Sequence, residues 1–179
     1  RARSERFRDA FINPSDIGGR YPALSFFGLL PAALMGQNVG DIVRWGQSMF
    51  EEARTAGGAA RNPAVGLGLL MAAGARSGRD KLTLVVPPVL EPFGLWVEQL
   101  VAESTGKQGV GVVPVAGESL GTRDVYGDDR VFVRLRLDHD DEQQRDRAMT
   151  SLADAPVATI AFAEPAQAFS GRRIMYRGK

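Results

Sequence analysis

The chain falls into two regimes of hydrophobic patterning. In the first, "YPALSFFGLLPAALMG" is too long and too rich in Ala and Leu for a strand, which predicts a buried helix over about residues 23 to 35 with Pro22 in its first turn. "NVGDIVRWGQSMFEEARTAGG" spaces Ile42, Trp45 and Met49 at helical intervals and stops on paired glycines. In "NPAVGLGLLMAAGARSG", Asn62 is the expected cap, Pro63 the first helical residue and Gly78 the end. Then the period shortens. "KLTLVVPP" is a β-branched apolar run closed by prolines, as a buried parallel strand requires. "EPFGLWVEQLVAESTGK" predicts a helix from about 91 to 104, and "GVGVVPVAG" the next strand. "DRVFVRLRLD" alternates apolar and charged residues, which predicts a strand with one wetter face near a sheet edge. "DDEQQRDRAMTSLADA" predicts a helix with acidic residues in its first turn, and "VATIAFAE" a last strand. Strands alternating with helices in this order predict an α/β fold, an open parallel sheet in three layers with helices on both faces. The closing "AQAFSGRRIMYRGK" has no clear period and reads as a helix start or a frayed basic tail.

Composition narrows the chemistry. The 179 residues are 44% hydrophobic and 24% charged, enough for a sizeable core. Lys plus Arg (22) nearly balance Asp plus Glu (21), so the net charge of +1 calls for neither a nucleic acid nor a membrane as partner. Without cysteine there is no disulfide or thiolate chemistry, and the lone His139 excludes a multi-histidine metal cluster. No apolar run reaches a membrane span and none is ordered as a signal peptide, so the expected location is cytoplasmic. The opening "RARSERFRDAFINPSD" starts within a polar segment, as expected of a chain cut from something longer.

Several familiar motifs fail on inspection. "GLGLLMAAG" places Met71 at the third glycine of a dinucleotide fingerprint and lies within a predicted helix, while "GVGVVP" leads into a strand. "VAESTGKQ" offers Val101 and Gln108 where a phosphate loop needs Gly and a hydroxyl. "DHDDE" lacks the glycine and spacing of a calcium loop and fits helix capping with solvated charge, His139 being a surface residue.

Two elements remain. In "SDIGGRYPALSFFG" paired glycines allow a close backbone approach to a ligand, and Arg20 is expected near the positive end of the helix that follows. By itself this also fits a structural turn with a surface arginine. Gln99 and Glu103 lie four apart on one helix face, so both can address the same small ligand. Glu103 is close to the helix C-terminus, whose dipole disfavours negative charge, the direction that suits a general base. Spacing alone equally fits a solvated outer face.

Together these elements resemble glucose-6-phosphate isomerases. "DIGGRYPALSFFG" is similar to that family's first signature, and "LWVEQLVAESTGK" to its catalytic-glutamate helix. "GLLPAALMG", "ESTGK", "GVVPV" and "DVYGDDRVFVRLRL" resemble most closely the isomerase part of bifunctional transaldolase/phosphoglucose isomerases. The resemblance implies a polar N-terminal arm over 1–14, a sugar isomerase domain of flavodoxin-like fold over 15–165, the second of the family's two, and a tail of unclear structure over 166–179. It implies interconversion of glucose 6-phosphate and fructose 6-phosphate through a cis-enediolate, without metal or cofactor. Glu103 would shuttle the proton, Arg20 would stabilise the enediolate, Gln99 would hydrogen-bond the sugar phosphate, and Gly19 would let the backbone approach it. Leu95 and Leu100 are expected to pack in the core or shield the intermediate from water. Pro22 replaces the signature's usual Ser or Thr. The family's ring-opening histidine, its phosphate-gripping Ser/Thr loops and its C-terminal lysine signature have no match in this chain. A missing first sugar isomerase domain or a second subunit is the expected partner, within a homo-oligomer. The alternatives are a non-catalytic sugar-phosphate-binding module and a domain that mainly supports assembly.

Overall fold

The computed structural model describes residues 4–5, 7–54, 62–137, 143–152, 154–162 and 173–177, the last five as backbone. It divides into two compact units, residues 1–47 and 48–179.

In the first unit a 3-10 turn over Pro22–Leu24 precedes helix α1 (Phe26–Leu34). Ser25 separates them: its hydroxyl donates to the Pro22 carbonyl at 2.7 Å and accepts from the Phe27 amide at 3.2 Å, so it closes one element and caps the next. The helix expected over 23 to 35 therefore starts three residues late. Nor is it buried: no residue of α1 is, and Phe27 and Leu34 are 71% and 80% exposed. A nine-residue helix that is apolar on every side has more apolar surface than a unit of this size can cover. Helix α2 (Val39–Arg54) starts at Asn38, whose side chain accepts from the Asp41 amide at 3.3 Å and donates to the Asp41 carboxylate at 2.7 Å.

The second unit is the α/β body. Helix α3 (Pro63–Arg76) starts as its sequence predicts, with Asn62 accepting from the Val65 amide at 3.1 Å and Pro63 at the first position, and Gly78 follows its end at φ +82°. There follow β1 (Lys81–Val85), α4 (Glu91–Thr105), β2 (Val113–Val115), β3 (Arg130–Leu137), α5 (Gln143–Ser151), β4 (Val157–Phe162) and β5 (Arg173–Arg177). The sheet order is β2-β1-β3-β4-β5. The first four strands are mutually parallel and β5 runs antiparallel to β4. The fold is thus the expected α/β sheet, extended by a strand drawn from the tail.

Side-chain alternation sorts the core into two layers. Leu82, Leu84, Val131, Val133 and Leu135 face Leu67, Leu70 and Met71 of α3 and Phe93, Val97 and Val101 of α4. Val85 and Phe132 face the opposite side, with Met149 of α5 and Leu152. Helices therefore cover both faces of the sheet.

The strand expected near an edge, β3, lies at the centre, with all but two of its residues buried. Arg130 and Arg134 misled because they are paired rather than wet. Arg134 is 8% exposed and its guanidinium bonds Asp146 of α5. Arg130 donates to Thr83 Oγ1 at 2.7 Å and to Glu118 Oε2 at 2.6 Å.

At the sheet's amino edge Lys81 Nζ lies 2.6 Å from Asp129 Oδ2 and 3.4 Å from Asp80 Oδ1. The hydrogen bond to Lys81 lowers the Asp129 pKa, and the Asp129 bond is the main cause of a raised Lys81 pKa. A depressed carboxylate pKa stabilises the fold above its ordinary value, and that contribution is lost as pH falls through the lower, folded value. Asp129→Asn is expected to lower the unfolding midpoint slightly at neutral pH. The difference from the unsubstituted chain should close below about pH 3, under the ordinary carboxylate range; thermal melts across acid pH would check it.

Candidate functional site

Helix α4 ends in a closed structure built from "ESTGKQGVG". Its last amide bond runs from Gly106 N to Ala102 O at 2.9 Å. Thr105 Oγ1 donates back to Val101 O at 2.9 Å and accepts from Val112 N at 2.9 Å, tying the helix end to the approach of β2. Between these points the chain makes a two-residue hairpin: Lys107 N donates to Val110 O at 2.9 Å and Val110 N to Lys107 O at 3.0 Å. Its central residues Gln108 and Gly109 have φ of +53° and +79°, the signs that a type I′ turn needs at both places. Gly111 lies so close that a Cβ there would come within 2.9 Å of Gly106 Cα.

On the last two turns of α4, Gln99 Nε2 donates to Glu103 Oε1 at 3.0 Å. Both side chains are exposed, and the Gln99 amide fixes one oxygen of the carboxylate. The pair expected from spacing is brought together. Leu95, expected in the core or as a shield, is 60% exposed, because the buried flank of α4 is the one that carries Phe93, Val97 and Val101. Leu100 is half-buried.

Gly19 and Arg20 are the central residues of a tight turn closed by Tyr21 N donating to Gly18 O at 3.0 Å. A Cβ on Gly19 would meet nothing within 4 Å, so its backbone faces open space. Arg20 is half-buried. It does not stand at the start of α1, since the 3-10 turn intervenes and Ser25 already caps that helix. These two residues belong to the first unit, Gln99 and Glu103 to the second.

Two clefts are lined by described residues of the second unit. One, of about 340 Å³, lies at the carboxyl ends of β1 and β2, lined by Glu91, Glu118, Ser119 and Arg145. Ligands of open α/β sheets commonly bind beyond the carboxyl ends of strands. The other, of about 1020 Å³, lies beside the end of α4 and carries Arg76, Asp80 and Glu98. Neither is lined by Gln99 or Glu103.

Sequence reasoning missed the role of "DVYGDDR". The Tyr126 hydroxyl accepts from Gly121 N at 2.9 Å, its ring packs edge-on to Phe132 at 5.2 Å, and the Arg130 guanidinium lies 4.9 Å above it. The motif folds a loop and orients Glu118 at the smaller cleft. Residues 138–142, His139 included, lie outside the described residues. Among the described residues no helix is long and apolar enough to cross a membrane.

No family model matches the chain. Among curated proteins it is similar to the glucose-6-phosphate isomerase of Rubrobacter xylanophilus, 34% identical over 122 residues, which is 67% of this chain and 27% of that protein. It is similar to that of Symbiobacterium thermophilum, 36% identical over 107 residues, 59% of this chain and 24% of the relative. A probable glucose-6-phosphate isomerase of Haloarcula marismortui is 32% identical over 148 residues, 79% of this chain and 32% of the relative. The chain thus spans between 24% and 32% of the length of these relatives.

Proposed function

We propose that this chain carries the proton-transfer half of a glucose-6-phosphate isomerase site. The observation that carries the reading is the exposed Glu103 carboxylate held by Gln99 at the end of α4, in a chain similar to isomerases of that name. Glu103 removes the C2 proton of open-chain glucose 6-phosphate, leaving a cis-enediolate; the hydroxyl proton passes from O2 to O1, and Glu103 returns its proton to C1 to give fructose 6-phosphate. Arg20 stabilises the charge that develops on the enediolate, while Gln99 and the open backbone at Gly19 position the sugar. The isomerisation is redox-neutral, so it needs no redox partner, and the reading includes no metal or cofactor. The phosphate grip and ring opening are assigned to the rest of a longer enzyme or to a second subunit, within a homo-oligomer, and the location to the cytoplasm. Bifunctional transaldolase/phosphoglucose isomerases are the kind of parent whose isomerase part it resembles.

The test is conversion of fructose 6-phosphate to glucose 6-phosphate through a coupled dehydrogenase, by this 179-residue chain and by the full-length enzyme. The chain by itself is expected to turn over little, because isolated catalytic groups lose the positioning that proximity supplies. The full-length enzyme is expected to be active, and inactivity toward both sugar phosphates would overturn the reading. Arg20→Ala in it should lower kcat about 100-fold, since the arginine acts on charge present mainly in the transition state, with KM changed less than about threefold. Loss of affinity with kcat intact would instead make Arg20 a ground-state binding group.

A further inference from the structure

The hairpin that follows α4 grips the lysine nearest Glu103. Lys107 is fixed at both backbone groups by its pairing with Val110 across the Gln108–Gly109 turn. Its side chain then reaches back four residues, and Nζ donates to the main-chain carbonyl of Glu103 at 2.7 Å. That carbonyl is one of the last four of a helix, which lack intrahelical partners and carry the negative end of the dipole. A cation placed there satisfies the carbonyl and offsets the dipole beside the base.

We propose that Lys107 is a positioning residue for Glu103, its ammonium holding the last turn of α4 so that the carboxylate stays ionised and aimed; this rests on Glu103 being the base. The hairpin supplies rigidity: Thr105 Oγ1 bonds both Val101 O and Val112 N, and Gly111 lies against Gly106 too closely for a Cβ. The 3-10 turn Pro88–Leu90 and β2, which pack on α4, contain no titratable residue. On α4 itself Gln99 bonds the carboxylate and Glu98 faces the larger cleft, where Arg76 and Asp80 also lie.

Two measurements test this. In the 179-residue chain, NMR titration of the Glu103 carboxyl should show its midpoint rising by about half to one pH unit in Lys107→Met and in Lys107→Gln, because a nearby cation favours the ionised form. Lys107→Arg should restore it. In the full-length isomerase Lys107→Met should lower kcat about tenfold with KM within about twofold, and Lys107→Arg should recover most of the loss. A midpoint that stays within about 0.2 unit in both neutral variants, or an unchanged kcat, overturns the proposal. Glu103→Gln run alongside separates the two ideas: an active Glu103→Gln enzyme removes the base assignment, whereas an inactive one with Lys107→Met unaffected removes only Lys107.

Discussion

If Glu103 is the base, as proposed, replacing it by Gln in the longer isomerase proposed to contain this chain is expected to lower isomerisation at least about 1000-fold while substrate affinity changes less than about threefold. The substitution is close to isosteric. An amide oxygen at the Oε1 position still accepts the bond that Gln99 Nε2 now makes at 3.0 Å, so the local geometry survives. What disappears is the basic lone pair to which the C2 proton transfer is assigned. Affinity is spared because the proton is moved only on the way to the transition state, and the sugar phosphate is held by other groups. The measurement pairs kcat with a directly measured dissociation constant. A variant retaining a tenth or more of normal turnover would place the base elsewhere, and one that lost affinity alone would make Glu103 a binding group.

The largest stability effect is expected at Phe132. Its side chain is fully buried on the central strand and packs edge-on against Tyr126 at 5.2 Å. It shares the α5 side of the core with Leu152 and Met149. Phe132→Ala removes most of a ring from a site whose walls are a sheet on one side and a tightly bonded loop on the other. Collapse around the vacancy is restricted, and the cost should be about 3 to 5 kcal/mol, lowering Tm by about 10 °C. Phe27→Ala is the matched control. The apolar run around Phe27 reads as a buried helix, yet the side chain is 71% exposed, so its truncation should change stability by less than about 0.5 kcal/mol. Thermal or denaturant unfolding of both variants of this chain would decide. Equal effects would mean that α1 packs as deeply as the sheet.

The parts of the structure that depend on near neighbours were readable from the chain. Asn62 caps α3 and Gly78 follows its end, because capping needs only a side chain three residues from an amide and a glycine free to adopt positive φ. Gln99 and Glu103 meet for the same reason, their spacing matching one turn of helix. The turn at Gln108–Gly109 was within reach of the same reasoning: a Gly at the second place of a two-residue link is a signal of a type I′ hairpin, here hidden because Gln is an unusual first residue.

Where pairing partners lie far along the chain, local pattern misled. β3 reads as an edge strand because charge alternates with apolar residues, yet it is central, with Arg134 paired to Asp146 on α5 and Arg130 to Glu118 beyond β2. β5 comes from a tail without period, because an edge strand held by backbone bonds to β4 needs no distinctive side chains. Leu95 is exposed because α4 is turned by the sheet it packs on.

The sequence by itself therefore determined the positions of the helices and of the first four strands to within a few residues, the Asn62 cap and the Gln99–Glu103 pair, all of which depend on interactions spanning a few residues. Only the tertiary structure decided which strand is central, which apolar faces are covered and where Lys107 points. Those outcomes depend on which distant segments meet, and hydrophobic period records only that a face is to be covered, not by what.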